Sequence, residues 1–168
     1  PLSQVVDQRT SACQSVGELK VPVIAWGGDI ATSHANGDSA ETARGSLMAK
    51  AGLDVELYRQ DDFARQVEDY LSCRTPFLRG TMGMLSAASE VANKNQATEM
   101  VVIYQMTWSS GGDALVVRGG ISKPSDLKGK TIALQAYGPH MDYLTTILRD
   151  AGLGVDDVNI KWVKDLIE

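Results

Sequence analysis

Short unbroken apolar runs alternate along this chain with stretches in which apolar residues recur every three or four positions. Runs of the first kind predict buried strands, and stretches of the second predict amphipathic helices. Val21-Pro22-Val23-Ile24-Ala25-Trp26 is the first expected strand, its proline near the start where a missing donor is tolerated. A glycine-rich loop from Gly27 to about Asp38 follows, too long for a plain connection and so a candidate binding loop. Ser39 to Ala51 is expected to be helical, with Ala40, Ala43, Leu47 and Met48 on one face and Gly52 as the stop. Asp54 to Tyr58 follows as a strand. Asp61 is the expected cap of the next helix, where Phe63, Val67, Tyr70 and Leu71 form a stripe. A helix from about Met82 to Asn95, a strand covered on both faces from Met100 to Met106, and a short strand from Ala114 to Arg118 come next. Residues 1 to about 20 are polar without a sustained period and read as an arm, partly helical or poorly ordered.

The second half carries the most informative segment. Ile121-Ser122-Lys123-Pro124-Ser125-Asp126-Leu127-Lys128-Gly129-Lys130 predicts a proline-punctuated turn and one short helical turn capped by Ser125. The strand Thr131-Ile132-Ala133-Leu134-Gln135 and, after Gly138-Pro139, a strongly periodic helix then follow. The order strand, glycine loop, helix, strand occurs twice, over Val23 to Tyr58 and over Thr131 to Val163. The two helices end alike, in Ala51-Gly52-Leu53 and Ala151-Gly152-Leu153. Each copy predicts a βαβ unit with a parallel strand pair.

The run Asp126-Leu127-Lys128-Gly129-Lys130 leading into a strand resembles the crossover into the second lobe of type-II solute-binding proteins, the receptors of ABC importers. It is closest to the nitrate/sulfonate/taurine and thiamine-precursor group, and Gly138-Pro139-His140 resembles the strand-to-helix turn of that lobe. The resemblance implies an α/β, periplasmic-binding-protein-like fold: a mostly parallel sheet with helices on both faces, in two lobes with the second incomplete. It divides the chain into an arm (1–20), a first lobe (21–118), a crossover (119–130) and the start of a second lobe (131–168). The chain thus resembles an N-terminal portion of such a receptor. A lone second βαβ unit is expected to leave Ile132, Leu134, Leu144 and Leu148 partly uncovered.

Composition narrows the function. A net charge of −5 offers no basic block to neutralise phosphates, so nucleic acid is not the expected partner. No apolar run approaches the ~20 residues that span a bilayer. The opening residues Pro1-Leu2-Ser3-Gln4 carry neither the charged start nor the apolar stretch of a secretory signal, which would already have been removed had one existed, and Thr10-Ser11-Ala12-Cys13 lacks the upstream apolar stretch of a lipid-attachment site. The two cysteines, Cys13 and Cys73, have no metal-ligand spacing; they read either as two unrelated buried thiols or, export favouring oxidation, as a disulfide tying the arm to the body. His34 and His140 sit in no metal motif, and neither a Gly-x-Ser-x-Gly elbow nor a phosphate-binding loop occurs. Neither a cofactor nor a catalytic or metal-ligating residue is expected.

Candidate ligand-binding residues follow from the rule that open α/β sheets bind beyond the carboxyl ends of their strands. Trp26, Gly28 and Asp29 follow the first strand and offer a stacking face, close backbone approach and a partner for an amine. They read equally as a core tryptophan and a turn. Gly80 and Thr81 stand at a helix start with free N–H groups, or as a plain cap, beside an Arg79 that reads as solvated. Trp108, Ser109 and Ser110 combine an indole with two hydroxyls. Tyr137, Gly138 and His140 precede the second-lobe helix; Pro139 is expected at its first position, and His140 as a donor to a carboxylate or sulfonate.

The expected function is extracytoplasmic or periplasmic capture of a small anionic or zwitterionic solute, by closure of two lobes, for an ABC permease. The chain is expected to be neither an enzyme nor itself membrane-spanning. Two rival readings are a metabolic enzyme of the same fold, similar to thiamine-pyrimidine synthases, and a sensory ligand-binding module.

Overall fold

The computed structural model describes residues 1–11, 19–108 and 110–163. The chain divides into two units, Pro1–Thr107 and Trp108–Glu168, and each contains one parallel strand pair.

In the first unit, β1 (Leu19–Val23) lies parallel to β2 (Val55–Arg59), with Leu19 opposite Val55 and Val23 opposite Arg59. A parallel pair needs a crossover, and here it is not the long helix expected from the sequence. The segment from Gly27 is no open loop: a 3-10 turn (Gly27–Asp29) runs directly into α1 (Ile30–Ala35). Ser39 to Ala51 in turn yields only the short α2 (Leu47–Lys50). The cause lies in Asn36, whose fully buried side chain donates to the carbonyls of Ser39 and Ala40 and accepts from Thr42 Oγ1 at 2.8 Å. Thr42 Oγ1 accepts from Val55 N at 2.8 Å, while Leu57 N donates to Ala40 O at 2.7 Å. These bonds tie residues 40–42 to β2 as an extended segment, so their alanine periodicity never becomes a helix. Gly45, at φ +82°, then turns the chain before Ser46 caps α2 through Ala49 N.

After β2, α3 (Phe63–Leu71) buries Phe63, Val67 and Leu71. Its cap is Asp62, one residue later than expected, which accepts from Ala64 N and Arg65 N. α4 (Met82–Ala92) is capped by Thr81 and buries Ala88, Val91 and Ala92. The polar arm is docked over residues 1–11: Leu2 and Val6 are buried, and Ser11 N donates to Leu71 O at 2.9 Å. Asp7 N and Ser3 Oγ bond to Glu68 and Glu90.

The expected strands at Met100–Met106 and Ala114–Arg118 do not form. Val101, Val102, Ile103 and Tyr104 are each at least 65% exposed, and Val116 is 92% exposed. β-branched composition favours a pleated, half-buried surface, but a strand exists only beside another. Among the described residues none pairs with these segments.

In the second unit β3 (Thr131–Gln135) lies parallel to β4 (Asn159–Val163), in register from Thr131–Asn159 to Gln135–Val163. The crossover helix α5 (His140–Asp150) buries Leu144 and Leu148. Ile132, Leu134, Leu144 and Leu148, expected to be partly uncovered, are instead buried in one cluster with Leu127 and Val158. The motif before β3 forms the expected helical turn, Pro124–Leu127, but Ser125 is not its cap. The Asp126 carboxylate closes the turn by accepting from Ser122 N and Lys123 N, which holds its pKa below the ordinary value.

The repeated Ala-Gly-Leu is a real structural echo. Leu53 N donates to Met48 O at 3.0 Å and Leu153 N to Leu148 O at 2.8 Å, while Gly52 and Gly152 adopt φ +74° and +72°. Both helices therefore end in the same Schellman closure, for which a left-handed residue is needed.

Cys73, at φ +59° just after α3, is disulfide-bonded. The expected bridge to Cys13 lies outside the described residues. Non-reducing peptide mapping is expected to recover the Cys13 and Cys73 peptides joined, and two free thiols would refute the pairing. Leu148→Ala is expected to cost about 2–5 kcal/mol, as burial in a packed cluster requires. Ile103→Ser is expected to change stability by no more than about 0.5 kcal/mol, since its side chain is exposed. Denaturant unfolding of both variants, followed by circular dichroism, checks the two values.

Candidate functional site

The carboxyl end of β1 is held by acidic side chains. Ile24 N donates to Asp29 Oδ2 at 2.9 Å and Ala25 N to Asp61 Oδ1 at 2.7 Å, so two carboxylates take up donors just past the strand. Asp61, expected as a helix cap, serves here and pairs with Arg59. Asp29 is buried because the 3-10 turn folds it back under Ile24.

A buried carboxylate needs a counter-charge, and Arg79 supplies it. Arg79 Nη2 lies 3.0 Å from Asp29 Oδ1, with side-chain exposures of only 11% and 8%. Arg79 is therefore not the solvated residue expected from the sequence. Its contact with Asp29 is an ion pair without hydrogen-bond alignment, and Asp29 Oδ1 and Arg79 Nε both stay without a hydrogen bond. Burial pulls the guanidinium below its ordinary pKa, and Asp29 opposes that shift. The Arg79 guanidinium also sits over the Trp26 ring, 5.4 Å from its centroid. Trp26 is 45% exposed, so the indole offers both a buried contact and a solvent-facing one. A Cβ on Gly28 would fall within 2.4–2.8 Å of three Trp26 ring atoms. The close approach that Gly28 permits is thus that of the indole.

Gly80 packs against Met84 and Phe63, and Thr81 caps α4 by accepting from Met84 N at 3.2 Å. In the first unit the structure brings Trp26, Gly28 and Asp29 together with Arg79, the residue just before Gly80 and Thr81.

In the second unit the carboxyl end of β3 leads through Tyr137, at φ +56°, and the buried Gly138 to α5. Pro139 is the cap of that helix and His140 its first residue, one position later than expected. His140 Nδ1 lies 3.3 Å from Asp113 Oδ1, with side-chain exposures of 39% and 22%. Trp108 is 80% exposed and Ser110 is exposed, whereas Ser109 lies outside the described residues.

Two residues were missed by sequence reasoning, Arg79 and Asp113. Arg79 adjoined a recognised helix start, but nothing in the sequence signals a charge that must fold inward. Asp113 follows the hydroxyl and glycine loop, and only the fold pairs it with His140. Open depressions occur elsewhere, one lined by Asp7, Arg9, Glu68 and Asp69, the other by Lys123, Pro124, Ile147 and Asp150. Neither includes a strand-end residue. Among the described residues no group of histidine, cysteine or acidic side chains has the placement to hold a metal ion. No described helix is long and apolar enough to cross a membrane.

The aromatic and charged side chains described here lie past the carboxyl ends of parallel strands, the edge at which open α/β sheets in general take small molecules. The family model described as NMT1/THI5 like matches residues 47–166, more than half of the chain, and the chain belongs to that family. The family includes solute-binding proteins of ABC importers as well as thiamine-synthase-like members. Neither a curated protein nor a solved structure matches the chain. Arg79, Asp113 and His140 lie within the matched residues, while Trp26, Gly28 and Asp29 precede them.

Asp29→Asn leaves Arg79 buried beside a neutral amide and is expected to cost about 3 kcal/mol, the scale of breaking one side of a buried pair. Adding Arg79→Met is expected to restore more than half of that loss. Urea titration of the two variants checks the coupling, and additive losses would refute it.

Proposed function

We propose that the chain captures a small polar solute outside the cytoplasm and hands it to an ABC permease, as receptors of this kind do by closing two lobes. What supports this reading most is membership of the NMT1/THI5-like family over a stretch that contains α4 and the whole βαβ unit of the second half. The strand-end side chains are of the right chemistry for the task. Trp26 offers an indole face, Arg79 and Asp29 form a charge-balanced pair beside it, and His140 and Ser110 offer polar contacts. Binding then relies on stacking and on polar groups held in place, which lowers the ordering cost on association.

The test is native mass spectrometry of protein purified after export, followed by calorimetry with each recovered solute and with a panel of sulfonates, nitrate, amino acids and aminopyrimidines. One solute is expected to bind without chemical change, and Trp108→Ala is expected to weaken it about tenfold, near 1.4 kcal/mol. Conversion of the solute would favour the enzyme reading. No binding across recovered compounds and panel would overturn the proposal.

A further inference from the structure

The closure that ends α2 and α5 recurs at the end of α3, with a cysteine in the glycine's place. Arg74 N donates to Asp69 O at 2.8 Å and Cys73 N to Tyr70 O at 3.1 Å. Cys73, at φ +59°, takes the left-handed position that Gly52 and Gly152 take in the other two helices. A Cβ crowds the following carbonyl in that conformation, so an L side chain there carries a backbone cost. Backbone preference therefore does not account for a cysteine at this position, whereas the disulfide that Cys73 forms does.

The turn so closed touches three other parts of the first unit. Leu71 O accepts from Ser11 N of the arm at 2.9 Å, and the Glu68 carboxylate accepts from Asp7 N at 2.9 Å. Asp69 Oδ2 accepts from the Tyr58 hydroxyl of β2 at 3.2 Å, and the Arg74 guanidinium lies 5.7 Å from the centroid of the Tyr58 ring. The fully buried Thr75 donates through Oγ1 to Lys20 O of β1 at 2.6 Å.

We propose that the Cys73 disulfide is a redox-sensitive latch on this turn. Oxidised, it holds the cysteine left-handed and the turn closed. A dithiol reductant, itself oxidised to a disulfide, passes two electrons and two protons to the bridge and leaves two thiols in its place. Cys73 is partly exposed, so such a reagent can reach it. Without the bridge nothing offsets the backbone cost at Cys73, the last turn of α3 frays, and the arm leaves Leu71 and Glu68. The second unit keeps its structure. None of this rests on the binding role proposed above.

Amide hydrogen exchange of the full chain, read by NMR with and without a dithiol, tests the latch. On reduction the Ser11 and Arg74 amides are expected to exchange about tenfold faster, while the protected amides of α4 and α5 do not change. Unchanged Ser11 and Arg74 amides overturn the proposal. So does loss of protection throughout the first unit, α4 included, which makes the bridge a staple of the whole unit. Thermal unfolding in reductant reads the backbone cost. Cys73→Gly is expected to melt about 2–4 °C above the reduced wild type, and Cys73→Ala, which keeps a Cβ, to melt with it. A glycine variant no more stable than the alanine variant overturns the proposal. Should the glycine variant not fold, exchange in the wild type decides alone.

Discussion

Parallel pairing is the constraint on which both units depend. Two parallel strands cannot be joined by a tight turn, so the chain must leave the sheet, cross over and return in the same direction. Both units solve the return identically, with a helix stopped by a left-handed glycine and a leucine whose N–H closes the last turn. The apolar side of that solution is explicit in the second unit, where Leu144 and Leu148 of α5 cover Ile132 and Leu134 of β3. Because the crossover begins where a strand ends, the loops at the carboxyl edges are free of pairing duties and can hold chemistry.

Where the ladder stops, other acceptors must replace it. Beyond β1 the next two backbone donors go to Asp29 and Asp61, and this substitution has an electrostatic consequence. A carboxylate buried to satisfy a backbone N–H draws a cation in after it. Arg79 is the residue drawn in, and its guanidinium then fixes the Trp26 indole against Gly28. Backbone satisfaction, ion pairing and ring placement therefore form one chain of causes, starting from the end of a five-residue strand.

How much of this was legible in the sequence depended on how local each cause was. The parallel pairs, the echo of Ala-Gly-Leu and helices α3, α4 and α5 follow from short-range periodicity and glycine stops, and all are present. Ser39 to Ala51 misled because its alanines have helical spacing, while the deciding contact is a distant one, Asn36 and Thr42 bonding to β2. Met100 to Met106 misled for a related reason: apolar content measures a tendency to be buried, not the presence of a neighbour to be buried against. Trp26, Asp29 and His140 were named because they follow strands. Their partners, Arg79 and Asp113, were not, since no spacing rule connects residues that meet only through a fold.

Those partners change what the strand ends offer a solute. From the sequence, Arg79 reads as solvated and His140 as a donor to a carboxylate or sulfonate. In the folded chain each stands against a carboxylate, Arg79 against Asp29 and His140 against Asp113. Neither then presents an uncompensated positive charge, and attraction of a bare anion by net field is correspondingly weak. On the binding role proposed above, selectivity at the first strand end rests on a directional group, the indole face of Trp26, rather than on charge alone.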